Sequence, residues 1–199
     1  MRRNMFPGPW CSACARASDV RKMIRPLVWL LLAAMSPALT PAITPALADT
    51  SLEYAVKAAY LTKFVPFIDW PDASFPSANA PVTLCILGAD PFGAVIDKSV
   101  SSATGARPLA VRRIPTADAT AGCHIVYTAY AQALDALQGK PLVTVTDSAS
   151  PAHGIINFVI LDNHVRFDID DATAEKNGIR ISSKLLELAH AVTRKSEAP

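Results

Sequence analysis

The chain has 199 residues, of which 51% are apolar and 18% are charged, and its formal net charge is +2. This length fits one domain of ordinary size, and the high apolar fraction excludes an intrinsically disordered protein. Residues 49–199 contain 13 basic and 16 acidic side chains, so this part of the chain lacks the positive charge on which nucleic-acid binding depends.

Residues 1–48 have the features of a secretion signal. Arg25 precedes an apolar run from Leu27 to Met35, and the small-x-small pattern over 46–48 is the kind that signal peptidase cleaves. The run is much shorter than the roughly 20 residues of a membrane-spanning helix, which favours a cleaved signal over a retained anchor. We therefore predict a leader over 1–48 that is removed on export to the periplasm, with Met23 as an alternative start.

The four cysteines fall into two pairs. Cys11 and Cys14 form a C-x-x-C ahead of the export signal, without a second pair of metal ligands, so we expect no zinc site there. Cys85 and Cys123 remain in the exported part, where disulfides persist because the compartment is oxidising. They form either a disulfide or two buried thiols that pack as small apolar side chains.

The exported part begins with an amphipathic helix. Apolar side chains recur at spacings that place them on one helix face, and they predict a helix over 51–65. Pro66 lacks a backbone donor, so it ends or kinks this helix. The recurring side chains are Tyr54, Ala58, Leu61 and Val65.

Strands and helices then alternate along the chain. Short apolar runs bounded by Gly and Pro predict strands that are covered on both faces, and amphipathic stretches between them predict helices. This alternation is typical of a largely parallel sheet with helices on both faces. The predicted strands are 82–88, 109–114, 124–128 and 142–146, and the predicted helices are 91–100 and 130–138.

The strand–helix alternation ends in the last part of the chain. Two apolar runs, 155–161 and 164–169, flank a two-residue turn and predict an antiparallel hairpin. Asp170 then caps a short helix, and a final helix extends to Val192. The predicted fold is a single compact α/β domain over 49–195, with a mixed, mostly parallel sheet flanked by helices on both faces and the antiparallel hairpin in its C-terminal half.

No catalytic motif is present in the sequence. The sequence contains neither a G-x-S-x-G nor an H-E-x-x-H pattern around its four histidines. No motif therefore supports a hydrolase or a zinc protease. The acidic residues Asp168, Asp170 and Asp171 fit a strand end and a helix cap better than a metal site. We therefore predict a protein that is not an enzyme and that needs no metal or cofactor.

Six stretches, taken in order, resemble the YfiR-like family of exported bacterial proteins. Each stretch alone is unspecific, whereas the six in sequence are characteristic of the family and cover nearly all of residues 51–192. They are 54–61 followed by Phe64, Phe67, Trp70 and Pro71; 85–88 with 90–93; 122–126; 142–147; 154–158; and 181–189.

This resemblance implies a periplasmic regulator rather than a catalyst. The best-known member of the family holds an inner-membrane diguanylate cyclase inactive by engaging its periplasmic sensor domain, and an OmpA-like outer-membrane lipoprotein sequesters that regulator. The resemblance therefore implies repression of such a cyclase, with control of cyclic di-GMP and biofilm formation. It also implies a compact α/β domain that is often dimeric.

The resemblance also places a disulfide between Cys85 and Cys123. The pairing is physically reasonable because the predicted strands 82–88 and 124–128 are candidates for neighbouring positions in the sheet. Some relatives carry a second cysteine pair around 148–158, where this chain has no cysteine. Redox sensing by such a second pair is therefore not expected here.

Four residues are candidates for binding. Phe67 and Trp70 are predicted partner-binding residues, because aromatic side chains dominate interface energetics; burial in the core is the alternative. Asp147, at the carboxyl end of a strand, and Arg180, in an extended segment, are candidates for a small-ligand pocket; a turn aspartate and a solvated arginine are the alternatives. The first pair suits a protein-binding regulator, and the second pair suits the rival function, a periplasmic small-ligand-binding module.

Overall fold

The computed structural model describes residues 46–147, 150 and 152–194. Within these residues, five α-helices and nine strands follow in chain order. The helices are α1 (Ala46–Phe64), α2 (Ala94–Ser101), α3 (Ala131–Leu137), α4 (Asp171–Lys176) and α5 (Ser183–Leu188). The strands are β1 (Ile68–Asp69), β2 (Val82–Leu87), β3 (Leu109–Ile114), β4 (Ile125–Thr128), β5 (Val143–Asp147), β6 (Ile156–Leu161), β7 (His164–Asp170), β8 (Arg180–Ile181) and β9 (Ala191–Thr193).

Seven strands form one sheet in the order β3-β2-β4-β5-β6-β7-β9. All neighbours in this sheet are parallel except β6 and β7, which form the predicted hairpin. The hairpin turn residues Asp162 and Asn163 both have positive φ, which Asp and Asn adopt more readily than most residues. The predicted α/β class with a mixed, mostly parallel sheet is confirmed.

Helices cover both faces of the sheet because successive strand residues point in opposite directions. On β2, Leu84 and Ile86 belong to a large apolar cluster that includes Leu61 of α1. Cys85 between them belongs to a second cluster that includes Leu137 of α3. The described residues form one compact unit around these two clusters.

The C-terminal end of the chain differs from the sequence prediction. The final helix α5 ends at Leu188 instead of extending to Val192, and residues Ala191–Thr193 form the edge strand β9, parallel to β7. The backbone N–H of His190 donates to the carbonyl of Phe167 on β7. Pairing with the sheet edge has therefore overridden the helical spacing of the apolar side chains.

A second, two-stranded sheet was absent from the prediction. Strand β1 pairs with β8 in antiparallel orientation, outside the seven-stranded sheet. Helix α1 ends at Phe64, and Pro66 lies in the 3₁₀ turn Val65–Phe67 that leads directly into β1. The predicted signal peptide lies outside the described residues, apart from 46–48, which begin α1.

Candidate functional site

A cleft of about 400 Å³ opens at the amino-terminal ends of β2 and β3. It is lined by the segment 65–75 after α1 and by the loop 103–107 before β3. Its volume falls in the range of roughly 300–1,000 Å³ that is common for ligand pockets. Trp70, one of the two predicted partner-binding residues, lines this cleft.

An aromatic cluster holds Trp70 in place beside the cleft. The indole Nε1 of Trp70 donates a hydrogen bond of 3.1 Å to the backbone carbonyl of His124, and the indole ring meets the rings of Phe75 and His124 edge-on. Phe75 stacks on His124 with ring centroids 4.3 Å apart. The guanidinium of Arg107 lies 4.1 Å from the centroid of Phe75, which is a favourable cation–π distance.

His124 is a buried, neutral member of this cluster. Its Nδ1 accepts a 3.1 Å hydrogen bond from the backbone N–H of Thr83, so this nitrogen carries no proton, and its Nε2 donates to the carbonyl of Ser74 at 3.2 Å. Burial lowers the pKa of His124, and the nearby charge of Arg107 lowers it further. The imidazole thus connects the segment after α1 to the start of β2 and serves as a structural link.

Arg180 lies in the small sheet next to the cleft, and Phe67 lies in the 3₁₀ turn that leads into this sheet. Asp69 on β1 is paired opposite Arg180 on β8, and the carbonyl of Phe67 accepts a hydrogen bond from the backbone N–H of Ser182. Phe67 is half-buried against the core, whereas Arg180 is exposed. The structure therefore brings Phe67, Trp70 and Arg180 into one region, although the sequence analysis assigned them to two different sites.

Asp147 belongs to a separate, buried cluster. It is 1% exposed and its Oδ2 lies 3.4 Å from Nζ of Lys57. The phenol of Tyr127 donates to the same oxygen at 2.5 Å, and the phenol of Tyr54 donates to it at 3.3 Å. Because Asp147 lies on the large sheet and Arg180 on the small one, the structure does not unite them in one pocket.

The two tyrosines of this cluster are hydrogen-bond donors rather than reactive groups. Burial, followed by the hydrogen bond to Asp147, raises the pKa of Tyr127 far above its ordinary value. Burial and the negative charge of Asp147 also raise the pKa of Tyr54. Both phenols therefore stay protonated near neutral pH and donate to the buried Asp147.

Lys57 is the member of this cluster that sequence reasoning missed. It is 1% exposed and contacts Glu53 as well as Asp147. Lys57 comes three residues after Tyr54 and four before Leu61, so it lies on the buried face of α1. A lysine at such a position is the signal that points to an acidic partner, because a buried ammonium requires one.

Cys85 and Cys123 form a disulfide, as the resemblance implies, with Cα atoms 5.8 Å apart. The bridge connects β2 to the segment just before β4, and these two strands are neighbours in the sheet, as expected. The guanidinium of Arg112 donates to Sγ of Cys123 at 3.0 Å. The alternative of two free buried thiols is wrong.

The described residues show neither a membrane-spanning helix nor a cluster of metal ligands. Over 46–147, 150 and 152–194, no helix is long and apolar enough to cross a bilayer. The same residues contain no group of three or more His, Cys, Asp or Glu side chains that is arranged to hold a metal ion.

Comparison with known protein families gives a match over most of the chain. The profile of the YfiR/HmsC-like family matches residues 54–190. This range contains the cleft beside Trp70, the disulfide and the buried cluster around Asp147. A search of curated proteins gave no match.

Proposed function

We infer a regulatory role from the premise that the chain belongs to the YfiR/HmsC-like family. The family suggests a periplasmic regulator of diguanylate cyclase signalling, regulatory rather than catalytic. We propose that this protein binds the periplasmic sensor domain of an inner-membrane diguanylate cyclase and represses the cyclase. Repression lowers cyclic di-GMP and limits biofilm formation.

The observation that supports this proposal is the fixed position of Trp70 beside an open cleft. A regulator of this kind must bind the inactive state of its partner more tightly than the active state. An aromatic side chain that is already ordered loses little conformational entropy on binding, so it is a favourable anchor. Phe67, half-buried beside β1, holds the same segment against the core.

The proposal also covers the export of the chain, its location and its further partners. The leader over 1–48 is removed on export, and the mature domain, 49–195, acts in the periplasm, where its disulfide is stable. An OmpA-like outer-membrane lipoprotein that sequesters the regulator, and a homodimer of the regulator, belong to the same proposal. The mature domain carries out no catalytic step and uses no cofactor.

The binding surface is tested in cells by measuring cyclic di-GMP. Trp70→Ala is expected to release the cyclase, but it also removes the bond to His124. Thr104→Trp fills the cleft from an exposed position and is expected to release the cyclase with an unchanged melting temperature. Gln132→Trp, at an exposed position of α3 outside the cleft lining, is the matched control and should repress normally. A stable Thr104→Trp variant that still represses would mean that partners bind elsewhere.

The cleft is also the observation that favours the second candidate, a periplasmic small-ligand-binding module. Under this alternative, a metabolite raises the melting temperature of the purified protein, and deleting the gene leaves cyclic di-GMP unchanged. The site would then be the cleft beside Trp70, because Asp147 is enclosed by its own chain.

A further inference from the structure

We propose that the partner segment entering the cleft beside Trp70 carries an arginine or lysine side chain flanked by apolar residues. This inference rests on the proposed function, because it names the chemistry of the partner at the same surface. It follows from the charges and the apolar side chains that line the cleft.

Two carboxylates give the cleft a negative charge. Asp69 and Asp72 are exposed and line the cleft on either side of Trp70 in the sequence. Arg107 also lines the cleft, but its guanidinium packs on Phe75 and donates hydrogen bonds to two backbone carbonyls of the loop before β2. The guanidinium of Arg107 is thus held by Phe75 and by these two carbonyls, whereas the two carboxylates are exposed and available to a cation.

Apolar side chains form much of the remaining lining of the cleft. Arginine and lysine combine a long apolar stem with a charged end, so they bury the stem against apolar surface while the end pairs with carboxylates. The indole of Trp70 adds a surface that attracts cations. The apolar lining residues are Val65, Ile68, Val82 and Leu109.

Arg180 allows a test of whether negative charge at the cleft attracts the partner. It is exposed and lies opposite Asp69 in the β1–β8 pair, and opposite residues of an antiparallel pair have their Cβ atoms only about 4.5–5.5 Å apart. Its positive charge therefore weakens the attraction of Asp69 for an incoming cation. Removing this charge should strengthen binding rather than weaken it.

The sequence supplies a direct reporter for the experiment. Of the three tryptophans in the chain, two lie in the leader at positions 10 and 29, so Trp70 is the single tryptophan of residues 46–199. These residues belong to the compact unit that contains the whole described core. The tryptophan fluorescence of this fragment therefore reports on the surroundings of Trp70 beside the cleft.

The probe is a capped pentapeptide, glycyl-leucyl-arginyl-leucyl-glycine, with two matched peptides in which glutamine or glutamate replaces arginine. We expect the arginine peptide to change the Trp70 emission and to bind at least about tenfold more tightly than the glutamine peptide. The glutamate peptide should bind least. Raising the salt concentration to 1 M should remove most of this preference, because the Debye length falls to about 3 Å.

Four variants complete the test. Asp69→Asn and Asp72→Asn should each weaken binding of the arginine peptide, and Arg180→Gln should strengthen it. Asp135→Asn, an exposed carboxylate of α3 outside the cleft lining, should bind like the wild type. Equal binding of the arginine and glutamine peptides, or unchanged binding by both cleft variants, would overturn the inference.

Three other outcomes identify the source of a failure. If butylguanidinium alone binds as tightly as the arginine peptide, the cleft takes a small cation and the partner-segment assignment is overturned. If the peptides fail to bind while Thr104→Trp still releases the cyclase, only the chemistry of the partner segment is wrong and the proposed function stands. If neither the peptides nor the cyclase respond, both are wrong.

Discussion

The ammonium of Lys57 on α1 lies 3.4 Å from Oδ2 of Asp147 at the end of β5, and the two side chains are 1% and 2% exposed. The carboxyl ends of parallel strands are where α/β proteins usually bind ligands. Here that edge is occupied by the chain itself, because Lys57 and the phenols of Tyr54 and Tyr127 converge on the carboxylate. The cluster therefore fixes α1 on the sheet.

The first prediction concerns this ion pair. Asp147→Asn removes one of the two carboxylates beside a buried ammonium, and breaking a buried pair in this way costs roughly 3–5 kcal/mol. We expect a loss of about 3 kcal/mol, the low end of this range, because Glu53 still contacts Lys57. Urea denaturation measures the free energy of unfolding.

Replacing both partners should cost less than replacing the carboxylate alone. Lys57→Met with Asp147→Asn leaves no buried charge without a partner, so the double variant is expected to be more stable than the single Asp147→Asn variant. Asp118→Asn, an exposed aspartate, is the control and should change the free energy by less than about 0.5 kcal/mol. A double variant less stable than the single variant would contradict the role of Lys57.

The second prediction concerns the disulfide. Cys85 and Cys123 are 38 residues apart, and closing a loop of this size stabilises a protein by about 2–4 kcal/mol. Replacing both cysteines by alanine should lower the free energy of unfolding by that amount. A reductant should destabilise the wild type to the same extent and leave the double variant unchanged; a reductant effect on the variant would show that another process is responsible.

The third prediction is a pH dependence that belongs to His124. Its pKa is lowered in the folded protein, chiefly by burial, so below its ordinary pKa of about 6.5 the unfolded chain binds a proton that the folded chain does not. Stability contributed by the neutral imidazole is therefore present above pH 6.5 and is lost as the pH falls.

The free energy of unfolding, measured by urea denaturation at pH 7.5 and 5.5, tests this sign. We expect the wild type to lose more stability over this interval than His124→Gln, even though the variant is less stable at pH 7.5. His153→Gln, at an exposed position, should keep the wild-type slope. Equal slopes for the wild type and His124→Gln would contradict the assignment.

Local sequence patterns were sufficient to predict six of the seven strands of the large sheet, all except β9. Strand β2 is a short apolar run between Pro81 and Gly88, and the hairpin turn at 162–163 contains residues that tolerate positive φ. Such features depend on neighbouring residues alone, so they are visible before the fold is known. The disulfide between Cys85 and Cys123 joins residues 38 apart and was predicted from the family resemblance.

The cleft and the buried cluster depend on contacts between distant parts of the chain. Trp70 bonds to the carbonyl of His124, 54 residues away, and Lys57 pairs with Asp147 across 90 residues. No local pattern encodes such pairs, and the two-residue strands β1 and β8 are too short to show a period. Asp147 was recognised as a strand-end residue, but its enclosure by α1 was not foreseeable from its neighbours.

We propose that this protein represses a diguanylate cyclase by binding to its periplasmic domain. The most direct test is the cellular concentration of cyclic di-GMP in the native bacterium with the gene for this protein deleted, in the presence and absence of the cyclase gene. We predict that deletion raises cyclic di-GMP and that the rise disappears when the cyclase gene is also removed. An unchanged concentration after deletion, with the cyclase present, would contradict the account.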